Sequence, residues 1–164
     1  ANRVAPSLIR VEADEVTYNL HIGIRFDLEL ALIEGKLAVH DLPDAWNAAY
    51  EDRLGITPTD PATGVLQDVH WCQGIFGYFP SYTVGNLYAA SMRIRMEEDL
   101  PQMWDEVARG QFATILSWLH THVHDRGHIL DAPELFREVV GDRDPVADLM
   151  SHIRSRHGVL YGIN

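Results

Sequence analysis

The sequence predicts an all-α fold of about seven helices. Three observations carry this. Gly and Pro recur at intervals that suit helix ends, the first long segment repeats apolar residues every three or four positions, and no run alternates apolar and polar residues between hairpin turns. With 164 residues, 46% of them apolar, the chain has enough material for a single helical domain spanning residues 1–164.

The first helix is expected from about Leu8 to Glu34. Ile9, Ala13, Val16, Leu20, Ile24, Leu28 and Ala31 form its apolar stripe, and Gly35 stands where a left-handed residue would end it. A second helix is expected from about Pro43 to Leu54, capped by Asp41 and stopped by Gly55. Residues 55–64 hold three threonines and two prolines and read as a loop. The stretch Val65–Pro80 mixes Trp71, Phe76, Tyr78 and Phe79 with Gly74 and Gly77 without a clear period. It reads as a structured, largely buried loop that must satisfy its own backbone groups, which makes it a candidate site. Helices then resume over about Ser81–Glu98, from Asp99-Leu100-Pro101 to near Gly110, and over Gln111–His124 with a close at Gly127. Pro133 and Pro145 each follow an aspartate, Asp131 and Asp144, as first-turn prolines do, and the last helix is expected to end near His157-Gly158.

Composition narrows the functions. The formal charge of −11 repels phosphate backbones and argues against nucleic-acid binding. No apolar run has the length of a membrane span, and no signal peptide is visible. The single cysteine, Cys72, forbids an intramolecular disulfide and suits a reducing cytoplasm. An opening Ala1 fits a processed chain or a piece of a longer one.

Four constellations could carry chemistry. Arg10, Asp14, Thr17, His21 and Arg25 make a polar stripe beside the apolar one. It is either a solvated face with i,i+4 ion pairs such as Arg10–Asp14, or a cleft lining that offers Arg10 to a carboxylate. Asp68 and His70 stand two apart beside Gln67 and Trp71, where the carboxylate could fix the imidazole tautomer or the histidine could be merely structural. Tyr78 and Tyr82 flank a helix start at Pro80-Ser81; either phenol could donate to a developing oxyanion, or both rings are core. His120, His122, His124 and His128 place imidazole pairs at i,i+4, half of a zinc site, unless they only decorate a helix C-terminus.

Together these segments are more specific than any one alone. Ile9-Arg10-Val11-Glu12-Ala13-Asp14, followed by Glu15-Val16-Thr17-Tyr18, resembles a signature of the thermostable carboxypeptidase Taq family of zinc metallocarboxypeptidases, peptidase family M32. Gly64 through Trp71 resembles that family's later signature Gly-x-x-Gln-Asp-x-His-Trp. Asp41-Leu42-Pro43 with Trp46-Asn47, and Phe76 through Tyr82, look like the family's intervening sequence, and the likeness runs on to Tyr161. Val11 departs from the residues that the first signature allows at its third position.

The resemblance implies the C-terminal third of a larger, mostly helical zinc peptidase that removes C-terminal amino acids from peptides. Arg10 matches the arginine expected to hold the free C-terminal carboxylate of the peptide. His70 and Tyr82 match positions expected near the scissile carbonyl, with Tyr78 a weaker substitute for Tyr82. Glu12, Asp14, Gln67 and Asp68 are expected to fix Arg10 and His70 from behind. The family's His-Glu-x-x-His zinc motif occurs nowhere in this chain. The resemblance therefore implies zinc in the complete enzyme, none bound by this chain alone, no activity without the missing N-terminal part, and a cytoplasmic homodimer. The competing expectation is a non-catalytic helical interaction module, with a metal held through His120, His124 and His128.

Overall fold

The structure, a computed structural model, describes residues 2–127 and 129–163, and every regular element among them is helical. Seven α-helices follow in chain order: α1 Tyr18–Ile33, α2 Leu42–Leu54, α3 Pro80–Asp99, α4 Met103–Ala108, α5 Ala113–His122, α6 Ala132–Val140 and α7 Pro145–Tyr161. Short 3₁₀ turns occupy Arg10–Glu12, Val39–Asp41, Trp71–Gln73 and His124–Arg126. The all-α expectation holds in kind and in number among the described residues. None of these helices is long and apolar enough to cross a membrane.

The chain divides after Val84, within α3, into two compact units. In the first, Ile24 and Leu28 of α1 pack with Leu42, Trp46, Tyr50 and Leu54 of α2. The Trp46 and Tyr50 rings stack at 5.2 Å. In the second, Met96, Met103, Trp118, Phe136, Val139 and Val140 form a separate core, and Tyr88 of α3 stacks on Phe136 of α6 at 4.1 Å.

The segment expected to be one helix from Leu8 is a 3₁₀ turn followed, after a break, by α1. Asp14 causes the break. Its carboxylate accepts from the N–H groups of Val16 (2.9 Å), Thr17 (3.0 Å) and Ala5 (2.9 Å). A carboxylate that satisfies free N–H groups starts a helix where it stands, and Arg10 is left in the turn before it. The expected apolar stripe is only partly the buried face. Ile24 and Leu28 are buried, but Leu20 is 41% exposed, while Thr17, His21, Arg25 and Glu29 are all buried. These four recur every four residues, so α1 turns a polar ridge inward.

Three ends differ from expectation. Asp41 makes no side-chain cap; α2 continues directly from the 3₁₀ turn in which Asp41 is the last residue. α5 ends at His122, after which Val123 leaves the helical region (φ −121°, ψ −59°). α7 runs through Gly158 to Tyr161. Gly158 is there for space: a Cβ on it would stand 2.8 Å from the carbonyl oxygen of Ile163, which folds back to donate its N–H to the Gly158 carbonyl. The stop is Gly162, at φ +63°. Pro133 and Pro145 stand in the first turns of α6 and α7 as expected, and the aspartates before them cap both helices, Asp131 forming a reciprocal capping box with Glu134.

Candidate functional site

The site is built around one carboxylate and two guanidinium groups, all in the first unit. Asp68 lies in the loop before the 3₁₀ turn at Trp71. Its Oδ1 accepts from Arg10 Nη2 at 2.6 Å and Nε at 3.1 Å, and its Oδ2 accepts from Arg25 Nε at 2.5 Å. Burial pushes the Asp68 carboxyl up, but the bonds and charges of Arg10 and Arg25 outweigh it and hold the group below the usual carboxylate range. Arg25 has no exposed surface, stacks over Trp46 at 4.6 Å, and donates from Nη1 to the His21 carbonyl at 2.9 Å. Arg10 is 6% exposed; its Nη1 donates to the Tyr18 hydroxyl at 3.1 Å, and its guanidinium carbon lies 4.9 Å from the centre of the Tyr82 ring. Two positive charges on one carboxylate leave the cluster one positive charge in excess.

Beside it stands an imidazole–phenol pair. His70 Nε2 and the Tyr82 hydroxyl share a 3.0 Å hydrogen bond. The His70 ring lies 4.4 Å from Phe79, which is buried, and 5.9 Å from Tyr78. His70 Nδ1 is buried without a hydrogen-bond partner and stands 3.8 Å from Asp68 Oδ1, beyond bonding distance. Arg10, His70 and Tyr82, three residues singled out in the sequence from separate segments, thus meet in one place.

The remaining predicted residues fall into two groups. Gln67 fixes the backbone beneath Arg10: its Oε1 accepts from the Arg10 N–H at 3.0 Å, and its Nε2 donates to the carbonyls of Leu8 (2.9 Å) and Thr63 (3.0 Å). Asp68 holds Arg10 directly. Asp14 does neither; its bonds go to Ala5, Val16 and Thr17, so it shapes the entry to α1 instead. Glu12 is exposed at the end of the 3₁₀ turn, and no bond joins it to Arg10 or His70 among the described residues. The expected Arg10–Asp14 ion pair is replaced by Arg10–Asp68. The loop Val65–Pro80 is not largely buried: Phe79 is buried, but Leu66 is 64% and Phe76 50% exposed.

Three further residues join the site, of which the sequence named only Arg25, as part of the polar stripe. Arg25 shares Asp68 with Arg10. Tyr50 donates to the Leu8 carbonyl at 3.2 Å and hydrogen-bonds His21 Nδ1 at 3.0 Å. Glu29 accepts from the Trp71 indole at 2.7 Å and from the Gly77 N–H. The signal for Arg25 and Glu29 was the four-residue repeat Thr17, His21, Arg25, Glu29. His21 has no exposed surface, and burial, then the charges of Arg25 and Arg10, push its pKa down to about 4.

The histidine cluster lies in the second unit. His120 and His124 rings are 5.3 Å apart, but His120 Nδ1 pairs with Asp125 at 3.2 Å and His122 stacks on Trp118 at 4.5 Å. His128 lies outside the described residues. Among the described residues no three His, Cys, Asp or Glu side chains converge as metal ligands.

Comparison with known proteins gives one family. Residues 1–157 match the family described as carboxypeptidase Taq (M32) metallopeptidase. Over 161 residues the chain is 47% identical to thermostable carboxypeptidase 1 of Thermus thermophilus, covering 98% of this chain and 32% of that protein. It is 44% identical to carboxypeptidase 1 of Bacillus subtilis over 98% of this chain and 32% of the relative. The fold superposes on the crystal structure of the M32 carboxypeptidase from Deinococcus radiodurans with a TM-score of 0.93 at 41% identity, covering 99% of this chain and 33% of that one. The chain thus spans about a third of the length of the relatives it matches.

Proposed function

The chain belongs to the carboxypeptidase Taq (M32) metallopeptidase family, and from that premise we propose that it forms the substrate-binding wall of a zinc carboxypeptidase. The observation that carries this is the meeting of Arg10, His70 and Tyr82 around a cluster with one positive charge in excess. A carboxypeptidase must recognise a free C-terminal carboxylate, and that anion would balance the excess charge. Arg10 is suited to the task. Its Nε, one Nη1 hydrogen and one Nη2 hydrogen are taken by Asp68 and Tyr18. By donor count, one N–H remains on each terminal nitrogen for a carboxylate to bind.

In this reading, Gln67 and Asp68 hold Arg10 at the correct depth, and Arg25 holds Asp68. Tyr82, hydrogen-bonded to His70, offers a phenolic donor to an oxyanion developing at the scissile carbonyl, and His70 sets its direction. The described side chains do not by themselves make a zinc site. The complete enzyme would hold its zinc on an upstream part, polarising the carbonyl there. The proposal includes a cytoplasmic homodimer and no peptide trimming by the 164-residue chain alone.

The test is binding of a short peptide, with either a free or an amidated C-terminus, to the 164-residue chain. The free form is expected to bind about tenfold tighter, the worth of a charge-assisted bidentate contact. Arg10→Ala should erase the difference while leaving Asp68 paired with Arg25. Equal binding of both peptides by the unmodified chain would sink the assignment. A second expected outcome is the absence of bound zinc after exhaustive dialysis. One tightly held zinc per chain would instead make the histidine cluster a site and favour the non-catalytic metal-binding module.

A further inference from the structure

The loop that carries His70 has few apolar anchors: Val65 and Trp71 pack against the core of α1 and α2. Phe79 is its buried aromatic, while Leu66, Val69, Ile75, Phe76 and Tyr78 are all exposed. It is held at two points by a single charged group. Glu29, 6% exposed on the inward ridge of α1, accepts from the Trp71 indole N–H at 2.7 Å through one oxygen and from the Gly77 backbone N–H through the other. Both donors are neutral. A buried carboxylate paired only with neutral donors is a poor way to gain stability, but it fixes two points of the chain at once. The first point is adjacent to His70. The second lies two residues before Phe79, whose ring packs on both His70 (4.4 Å) and Trp71 (5.9 Å), and five before Tyr82 in the first turn of α3.

We propose that Glu29 is the positioning residue of this site: it clamps both ends of segment 71–77 to α1 and thereby fixes the His70–Tyr82 pair beside Arg10. Its functional meaning rests on the carboxypeptidase reading above, but the clamp itself does not. The chemistry demands a carboxylate, because two N–H donors need two acceptor oxygens. Glutamine has the same shape and one such oxygen, so its amide would face one of the donors with a donor of its own.

The experiment is two-dimensional NMR on the 164-residue chain, comparing the unmodified protein with Glu29→Gln and Trp71→Phe. In Glu29→Gln, exchange protection of the Trp71 indole N–H and the Gly77 amide should fall about tenfold or more. The ring contact between His70 and Tyr82 should disappear while that between Trp46 and Tyr50 persists. Trp71→Phe keeps the ring and the Gly77 bond and should weaken the His70–Tyr82 contact without abolishing it; this variant decides the matter should Glu29→Gln not fold. A His70–Tyr82 contact of unchanged intensity in the variants would overturn the clamp. The peptide assay separates the two ideas. Glu29→Gln should reduce the preference for a free C-terminus several-fold. If the unmodified chain has no such preference, the functional reading fails, and the spectra still decide the clamp.

Discussion

Replacing Asp68 by asparagine will destabilise the folded chain by about 3–5 kcal/mol, the usual consequence of removing one partner from a buried ion pair. The expected effect is at the upper end because Asp68 serves two guanidinium groups, Arg10 and Arg25, and Arg25 has no exposed surface. Asparagine retains one acceptor oxygen but no charge, so both cations would remain in the interior without a counter-ion. A domain this size is stable by only about 5–15 kcal/mol, and the loss should move the urea midpoint far enough to read by tryptophan fluorescence. Arg10→Ala is the control. It leaves one cation on one carboxylate and should cost clearly less. A shift below about 1 kcal/mol for Asp68→Asn would place the cluster in water rather than in the interior. The protonation of Asp68 works in the same direction. Its folded pKa lies below the unfolded value, so the stability it contributes is present above the unfolded carboxylate range and is lost as pH falls through the folded value.

Helix type and count were legible because capping chemistry is local. Asp131 before Pro133, Asp144 before Pro145, and Gly55 after Leu54 each state a helix end within a few residues, and each functions as written. The start of α1 was misjudged for the same reason in reverse. The spacing of Ile9 and Ala13 continues the helical period, and only a competing local bond, Asp14 to Val16 and Thr17, stops the helix there. Arg10, His70 and Tyr82 were recognisable from their motifs. Their closure into one site was not, because it depends on contacts such as Arg10–Asp68 across 58 residues of chain. The buried ridge of α1 was visible as a repeat but ambiguous in meaning. Polar residues every four positions describe a solvated face or a buried network equally well, and only partners such as Asp68, Tyr50 and the Trp71 indole decide between them. The exposure of Leu66 and Phe76 was illegible in another way: a mixed aromatic loop gives no period from which to assign an inner side.

Acid will destabilise the chain as the pH falls below 6.5, and His21 is the reason. In the unfolded chain His21 takes up its proton near pH 6.5; in the folded chain it does so only at about 4. Between those values the unfolded state holds one more proton than the folded state, so each unit of acidification favours unfolding by about 1.4 kcal/mol. The contribution of neutral His21 is therefore complete above pH 6.5, falls as pH drops from 6.5 to 4, and amounts to up to about 3 kcal/mol in all. The cause is geometric. The ring has no exposed surface, its Nδ1 is bonded to Tyr50, its Nε2 is buried without a partner, and it sits one turn before Arg25 on α1. A proton there would add a cation beside a cluster already one positive charge in excess. NMR titration isolates His21 from the other histidines: its ring signals should hold still down to about pH 5 and move only as the pH approaches 4. Urea unfolding at pH 7 and pH 5 should differ in the direction given, and His21→Gln, which cannot take up the proton, should flatten that difference. A His21 ring that titrates near 6.5 in the folded chain would mean that water or a counter-charge reaches it, and that the inward ridge of α1 is open rather than sealed.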